Sequence, residues 1–585
     1  MRRSFCVFER DIYAMRMLHN CDAEKLAHVW LNEATFKAAL ISLAFIFQTT
    51  NIFLMIFGPP SNRTMRTKTI RCPSTGTRRT RQAVVDSRSL ATETSVKTIN
   101  KDVIVIGNGP SAITLSYLLS GRWPYYKGMD ALGHPPDFLH ARLESKPNCS
   151  LVLQDLKELS EGLEGRSSNP VALLYDTLNH PDADTGQDLP SLLSWKNHPE
   201  HAIDHVVLGR GPPGGSWQAM EGDVLTISRG TWMELANLSF REWEETACER
   251  QLGIRQKRAS VKHVAQYYHD YVNIKGLRPY FRDSAEVTSV RRLDQVKNVP
   301  AESYAPTLWQ VTGHVRTEEG LENFQYVTPN VVLAIGGTDR PNSMNVAGEN
   351  LPFVIKSLQA MEKLISSQQL NRQSEPVLIV GAGLSAADAI IAAHFHGIPI
   401  IHVFRRKATD PSLIFGQLPS NMYPEYHKVY QMMKDNGMTY TGYTPMEQCQ
   451  IVRIQSDGKV CLQGPDYSTK IKVSFVVVLI GSRPSLNFLE NKGRDLTVDV
   501  TKPISCRNNP LDVDLFTLES TKQPGIYAMG PLVSDNFVRF AQGGALAITR
   551  DIHTKLSRLK AKEEIFNSAI PSVTAESVSY LDCPT

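Results

Sequence analysis

Short unbroken apolar runs recur along the chain, separated by longer stretches whose apolar residues repeat at helical spacing. Val103-Ile-Val-Ile106, His205-Val-Val-Leu208, Val331-Val-Leu-Ala-Ile335, Val377-Leu-Ile-Val380, Pro399-Ile-Ile-His-Val-Phe404 and Phe475-Val-Val-Val-Leu-Ile480 carry at most one polar residue each. Central strands of a parallel sheet, buried on both faces, read this way. Ile113, Leu115, Leu118 and Leu119 follow the first run at helical spacing, and Ala387 to His394 follows the fourth. Val261 to Ile274 is amphipathic, with Tyr267, Tyr268 and Tyr271 on its apolar side, and Lys275-Gly276-Leu277 ends it. Glu286–Val290, Leu308–Thr312 and Phe324–Val327 alternate instead, which predicts an antiparallel meander. The pattern is that of an α/β protein.

Two of the strand–helix junctions are glycine loops. After Ile106 comes Gly107-Asn-Gly109-Pro-Ser111-Ala112, and after Val380 comes Gly381-Ala-Gly383-Leu-Ser385-Ala386, both G-x-G-x-x-A. The first glycine permits the tight turn, the second lets backbone approach a pyrophosphate, and the alanine lets helix pack on strand. The helix N-terminus beyond favours an anion. At the end of the strand after the second loop, 24 residues past Gly381, stand Arg405 and Arg406. An acid there would suit the 2′-hydroxyl of NAD; guanidinium groups suit the 2′-phosphate of NADP. NADPH is the expected ligand of this half.

Composition narrows the chemistry. The 585 residues are 42% hydrophobic and 21% charged with a net charge of +4, and much of that excess lies in one segment, Arg63 to Arg81, so nothing points to nucleic acid. Nine cysteines form neither a C-x-x-C nor a C-x4-C pair. That spacing argues against a zinc site, a disulfide framework and the redox pair of a disulfide reductase. No metal is expected.

The first 97 residues differ from the rest. Ala38 to Phe57 is uncharged and about long enough to span a bilayer, although Gln48-Thr-Thr-Asn51 lies near its centre. No acid occurs from Ala34 to Val85, while arginines follow the apolar run. The segment reads either as a membrane anchor that leaves the C-terminal bulk in the cytoplasm, or as an unstructured leader. It lies too far from Met1 for a cleaved secretory signal.

Further residues carry a resemblance. Gly214-Gly215-Ser216-Trp217, after the second strand, resembles the G-G-x-W of flavin-containing and N-hydroxylating monooxygenases. Gly525-Ile-Tyr-Ala-Met-Gly530-Pro531 resembles the closing G-I-Y-A-x-G-D of flavoproteins with two nucleotide domains. From residue 100 to 550, "IGNGPSAITLSYLLSGRWPY", "EHAIDHVVLGR", "PVLIVGAGLSAADA", "LPSNMYPEYHKVYQMM" and "GIYAMGPLVSDNFVRFAQGGALA" together resemble the oxidative stress-induced growth inhibitor family. The resemblance implies a flavin monooxygenase-like protein tied to growth, differentiation and division, with an FAD domain into which an NADPH domain is inserted. Gly107, Gly109, Ser111, Ala112, Gly214, Gly215, Trp217, Gly530, Gln542 and Gly543 would hold FAD. Gly381, Gly383, Ser385, Ala386, Arg405 and Arg406 would hold NADPH, with Gln417 and Asn421 toward nicotinamide or substrate. Gln542-Gly-Gly-Ala545 is expected to open a helix whose amides face the flavin.

The resulting division is a leader (1–97), a first FAD segment (98–345, with an insertion at 123–200), an NADPH segment (346–470), a second FAD segment (471–556) and a flexible tail (557–585). Two departures stand out. The acid that binds the adenosine ribose is replaced by Leu208 or Gly209, and the ribityl aspartate by Pro531, with Asp535 displaced nearby. The expected activity is NADPH- and O2-dependent oxygenation of a small molecule; no general base is demanded, because the cofactor carries the chemistry. A regulatory protein on a flavoenzyme scaffold and a peroxide-releasing NADPH oxidase are the alternatives. Protein partners are not indicated.

Overall fold

A computed structural model describes residues 97–569 apart from 129–133, 221–223, 248–257, 294–306 and 436–437. The segment 38–57 lies outside these residues. Among the described residues no helix is long and apolar enough to cross a membrane.

The elements that shape the protein are, in chain order, β1 (Val103–Ile106), α1 (Pro110–Leu119), α2 (Pro170–Asn179), β2 (His205–Leu208), α3 (Val261–Ile274), β3 (Phe281–Arg282), β4 (Asn330–Leu333), β5 (Val354–Ile355), β6 (Val377–Val380), α4 (Leu384–Phe395), β7 (Ile400–Val403), α5 (Pro424–Lys434), β8 (Tyr443–Met446), β9 (Val476–Val478), β10 (Ile526–Ala528) and α6 (Val538–Ala569). They form two five-stranded parallel sheets. The first has the order β10-β4-β1-β2-β3 and the second β5-β9-β6-β7-β8. Each is a Rossmann-like half, and β1 and β6, the strands of the glycine loops, sit at their centres. Both are wholly buried, as runs of β-branched residues on two-sided strands demand.

A meander of Ala285–Arg292, Trp309–Thr317 and Gly320–Thr328 crosses the first half, with Thr98–Asn100 added in parallel at its edge. The chain passes between the halves twice. Those two passages, Arg340–Pro341 and Ser482–Arg483, pair as a short antiparallel ribbon. The return crossing therefore falls at 482–483 rather than 471, because Val476–Val478 pairs with Val377–Val380 and belongs to the second sheet.

The described residues of the insertion are structured. Arg122–Tyr126 pairs with Leu193–Asn197, and α2 packs on α6 so closely that a Cβ at Gly543 would lie 2.5 Å from the Ala172 Cα. This contact sits within a core shared by α1, α2, α3 and α6. The expected tail at 557 is corrected as well: α6 continues to Ala569.

Candidate functional site

The two glycine loops open into one cleft of about 1970 Å³, at the C-terminal ends of both sheets, where doubly wound folds bind ligands. The loops are built alike. Gly107 has φ +107°, and a Cβ there would lie 2.4 Å from the Ala334 carbonyl oxygen; Gly381 has φ +128°, and its Cβ would lie 2.2 Å from the Leu479 oxygen. In each half the turn is pressed against the chain leaving the neighbouring strand, so only glycine fits. At Gly109 and Gly383 a Cβ would meet nothing within 4 Å. These two extended residues cap α1 and α4, and neither helix start has a side-chain cap. Uncapped helix amides beside open space suit a phosphate.

A buried histidine lies behind each loop, holding the second loop directly and the helix that follows the first. His402 on β7 contacts the Gly381 carbonyl through Nε2 at 2.6 Å and the Tyr443 hydroxyl through Nδ1 at 2.8 Å. His205 on β2 contacts the Ser116 hydroxyl on α1 through Nε2 at 2.8 Å and the Ile203 carbonyl through Nδ1 at 2.7 Å, with its ring stacked on Tyr280. Burial pushes both imidazoles down to about 4, so both are neutral at pH 7. A neutral ring has one donor nitrogen, which must face the carbonyl; the other accepts from the hydroxyl.

Of the residues expected from sequence, Gly107, Gly109, Ser111, Gly215, Trp217, Gly381, Gly383, Arg405 and Arg406 line the cleft. Ala112 and Ala386 are fully buried and let α1 and α4 sit on their sheets. Gly214 (φ +117°) turns the chain behind the first loop, its N–H donating to the Asn108 carbonyl at 2.9 Å. Gly530 packs on Ser111. Ser385 is exposed on α4 and is absent from the lining.

Four expectations are corrected. Gln542 does not face the cleft: α6 begins at Val538, a turn earlier than expected, and Gln542 is buried, donating to the Glu234 carbonyl at 2.8 Å. Gly543 is spent on the contact with α2. Gln417 and Asn421 are exposed outside the cleft lining, and Gln417 donates back to Pro411.

The structure also brings in residues that the sequence reading left out of the site. Asn108, the middle residue of the first loop, fills the space where an acid would bind ribose: a Cβ on Gly209 would lie 2.0 Å from its Nδ2. That nitrogen donates to the Gly211 carbonyl at 2.7 Å. Asp535 is buried at the cleft wall, and its oxygens accept from Ser167 Oγ at 2.6 Å and Asn169 Nδ2 at 3.3 Å, both from the insertion. Desolvation, with no cation to oppose it, raises its carboxyl to about 6. Its displacement from the expected position was visible in sequence; its partners, more than 360 residues away, were not.

Arg405 makes no hydrogen bond or ion pair among the described residues, whereas Arg406 Nη1 donates to the Ser412 hydroxyl and carbonyl at 2.6 and 3.1 Å. Cys449 and Cys506 also line the cleft, as free thiols.

Residues 260–545 match the pyridine nucleotide-disulphide oxidoreductase family. The chain is 44% identical over 494 residues to oxidative stress-induced growth inhibitor 2 of Homo sapiens, a match covering 81% of this chain and 96% of that protein. Against oxidative stress-induced growth inhibitor 1 of Mus musculus identity is 46% over 462 residues, covering 78% and 96%. The chain belongs to the oxidative stress-induced growth inhibitor family. A Caenorhabditis elegans homolog of that family is 27% identical over 473 residues, covering 77% and 94%. The fold of the chain is thus an α/β flavoprotein fold of two Rossmann-like halves. The family match carries oxidoreductase character with use of a flavin and a pyridine nucleotide.

Proposed function

We propose that this chain is an FAD- and NADPH-dependent monooxygenase whose turnover serves growth restraint, as the names of its relatives indicate for those proteins. The observation that carries the reading is the opening of two uncapped glycine loops into one cleft, with Arg405 and Arg406 beside the second. FAD fits the first loop, where Gly109 leaves open space and Gly215 approaches its backbone, a Cβ there lying 3.0 Å from the Gly109 Cα. NADPH fits the second, where the free guanidinium of Arg405 is available to the 2′-phosphate.

Bound flavin supplies hydride acceptance from the nicotinamide and the activation of oxygen. The chain's own residues supply position. The amides of Ser111 and Ala112, past Pro110, and those after Gly383 would hold pyrophosphates; His402 fixes the second loop and His205 the helix after the first, and Trp217 lines the wall between glycine turn and cleft. Asp535 is a carboxyl able to hold or release a proton near neutral pH at its Oδ atoms. No C-x-x-C or C-x4-C pair is present for dithiol exchange, which separates this reading from disulfide reduction.

Purified full-length protein tests it. The expected result is a yellow protein that consumes NADPH and O2 and transfers oxygen to a substrate. A protein that cannot be loaded with FAD sinks the proposal. Peroxide formed stoichiometrically with NADPH under every substrate tried favours an oxidase instead.

A further inference from the structure

Six arginines line the cleft: Arg210, Arg340, Arg405, Arg406, Arg483 and Arg507. The lining carries three acids, and each already has a partner. Asp339 pairs with Arg210 and accepts from the Ser485 N–H at 3.0 Å. Asp535 is held by Ser167 and Asn169, and Glu286 lies 3.6 Å from His314. Arg406 is paired with Asp410; of the four cleft arginines with no acidic partner among the described residues, Arg340, Arg405, Arg483 and Arg507, two stand on the ribbon between the two halves. Arg340 and Arg483 are direct partners in its antiparallel register, so their side chains leave the same face, with Cβ atoms roughly 5 Å apart. Both are exposed, and among the described residues neither side chain has a hydrogen bond or ion pair.

Like charges directly opposite on a ladder destabilise it. This pair lies where the chain crosses between the sheets, just after the glycine exits at Gly336-Gly337 and Gly481. Two guanidinium groups spaced this way match an oxyanion, which each can grip with two N–H donors.

We propose that Arg340 and Arg483 form an oxyanion site on the interdomain ribbon, taking a phosphate or carboxylate group of a ligand bound in the cleft. This deepens the monooxygenase reading and rests on its view of the cleft as a ligand site. The anion has two sources, the phosphates of the pyridine dinucleotide or an anionic substrate.

Full-length wild type, R340Q/R483Q and R340K/R483K are titrated with NADP+ by calorimetry. The NADP+-saturated proteins are then melted with and without inorganic phosphate and acetate. If the dinucleotide is the source, Kd for NADP+ rises about tenfold or more in the glutamine variant and is largely restored by lysine. If a separate anion is the source, NADP+ affinity is unchanged. The anion-dependent rise in melting temperature is then lost in the glutamine variant and kept in the lysine variant. Unchanged affinity together with unchanged anion response overturns the site. Both side chains are exposed, and circular dichroism of each variant checks that the fold is intact. Flavin absorbance of the same wild-type sample reports on the enzyme reading separately, since protein without flavin still gives a calorimetric answer for NADP+.

Discussion

Gly107 and Gly381 occupy equivalent corners of the two halves, and the same substitution separates their ligands. An alanine at either has a left-handed φ and a Cβ inside contact distance of a backbone oxygen, so the loop must move. The local strain is on the order of 1–3 kcal/mol. G107A is expected to lose FAD while binding NADP+, and G381A the reverse; flavin absorbance and calorimetry on both variants check this. Arg405 gives a finer test. It is free where Arg406 is tied to Ser412, so R405Q should raise the KM for NADPH about tenfold or more and leave NADH nearly unaffected. Equal effects on both nucleotides would place Arg405 away from the 2′-phosphate.

In each half the strand paired beside the glycine-loop strand carries a buried histidine, whose pH response follows from the depressed imidazole. His402 titrates at about 4 when folded against 6.5 ordinarily, so the unfolded chain takes up the proton first as pH falls. Its contribution is intact above pH 6.5 and declines toward pH 4, by on the order of 3 kcal/mol in all. Asp535 and Asp388, both raised to about 6, act in the opposite sense and offset this in the whole protein. The measurement is therefore a difference. H402N should melt below wild type at pH 7.5, and the gap should narrow or reverse toward pH 5. A constant gap would mean that His402 is not buried neutral. The strands that carry these histidines were legible in sequence because two-sided burial leaves unbroken apolar runs, and the glycine corners because only glycine tolerates their φ. What fixes the site around them was not. Gln542 kept its expected sequence context but was claimed by Glu234, and α6 ran past its expected end at 557. Asp535 depends on Ser167 and Asn169 across a long insertion, a juxtaposition that no local pattern encodes.

For the molecule as a whole, a flavoprotein oxidoreductase of this design needs the two halves held so that nicotinamide and flavin meet. The ribbon joins them at the cleft, and a second contact joins them away from it. The antiparallel strand pair of Leu225–Arg229 and Arg258–Ser260 precedes α3 of the first half but contacts α5 of the second. Arg258 is 7% exposed; its Nη1 donates to Glu425 at 2.7 Å and to the Met422 carbonyl at 3.1 Å, its Nε to the Thr226 carbonyl at 2.6 Å, and its guanidinium lies over Tyr423. Tyr423 donates to the Ile227 carbonyl at 2.6 Å. Guanidinium planarity suits this set of partners, and lysine, with one compact head group, cannot reproduce it. Losing the pair leaves buried carbonyls unsatisfied, while Glu425, partly open to water, softens the cost to about 2 kcal/mol. R258K and R258A should both lower the melting temperature. If the clasp sets the approach of the two halves, they should also slow reduction of bound flavin by NADPH in stopped flow, with Kd for NADP+ close to wild type. A stability loss with an unchanged reduction rate would confine Arg258 to packing and leave the ribbon as the element that orients the halves.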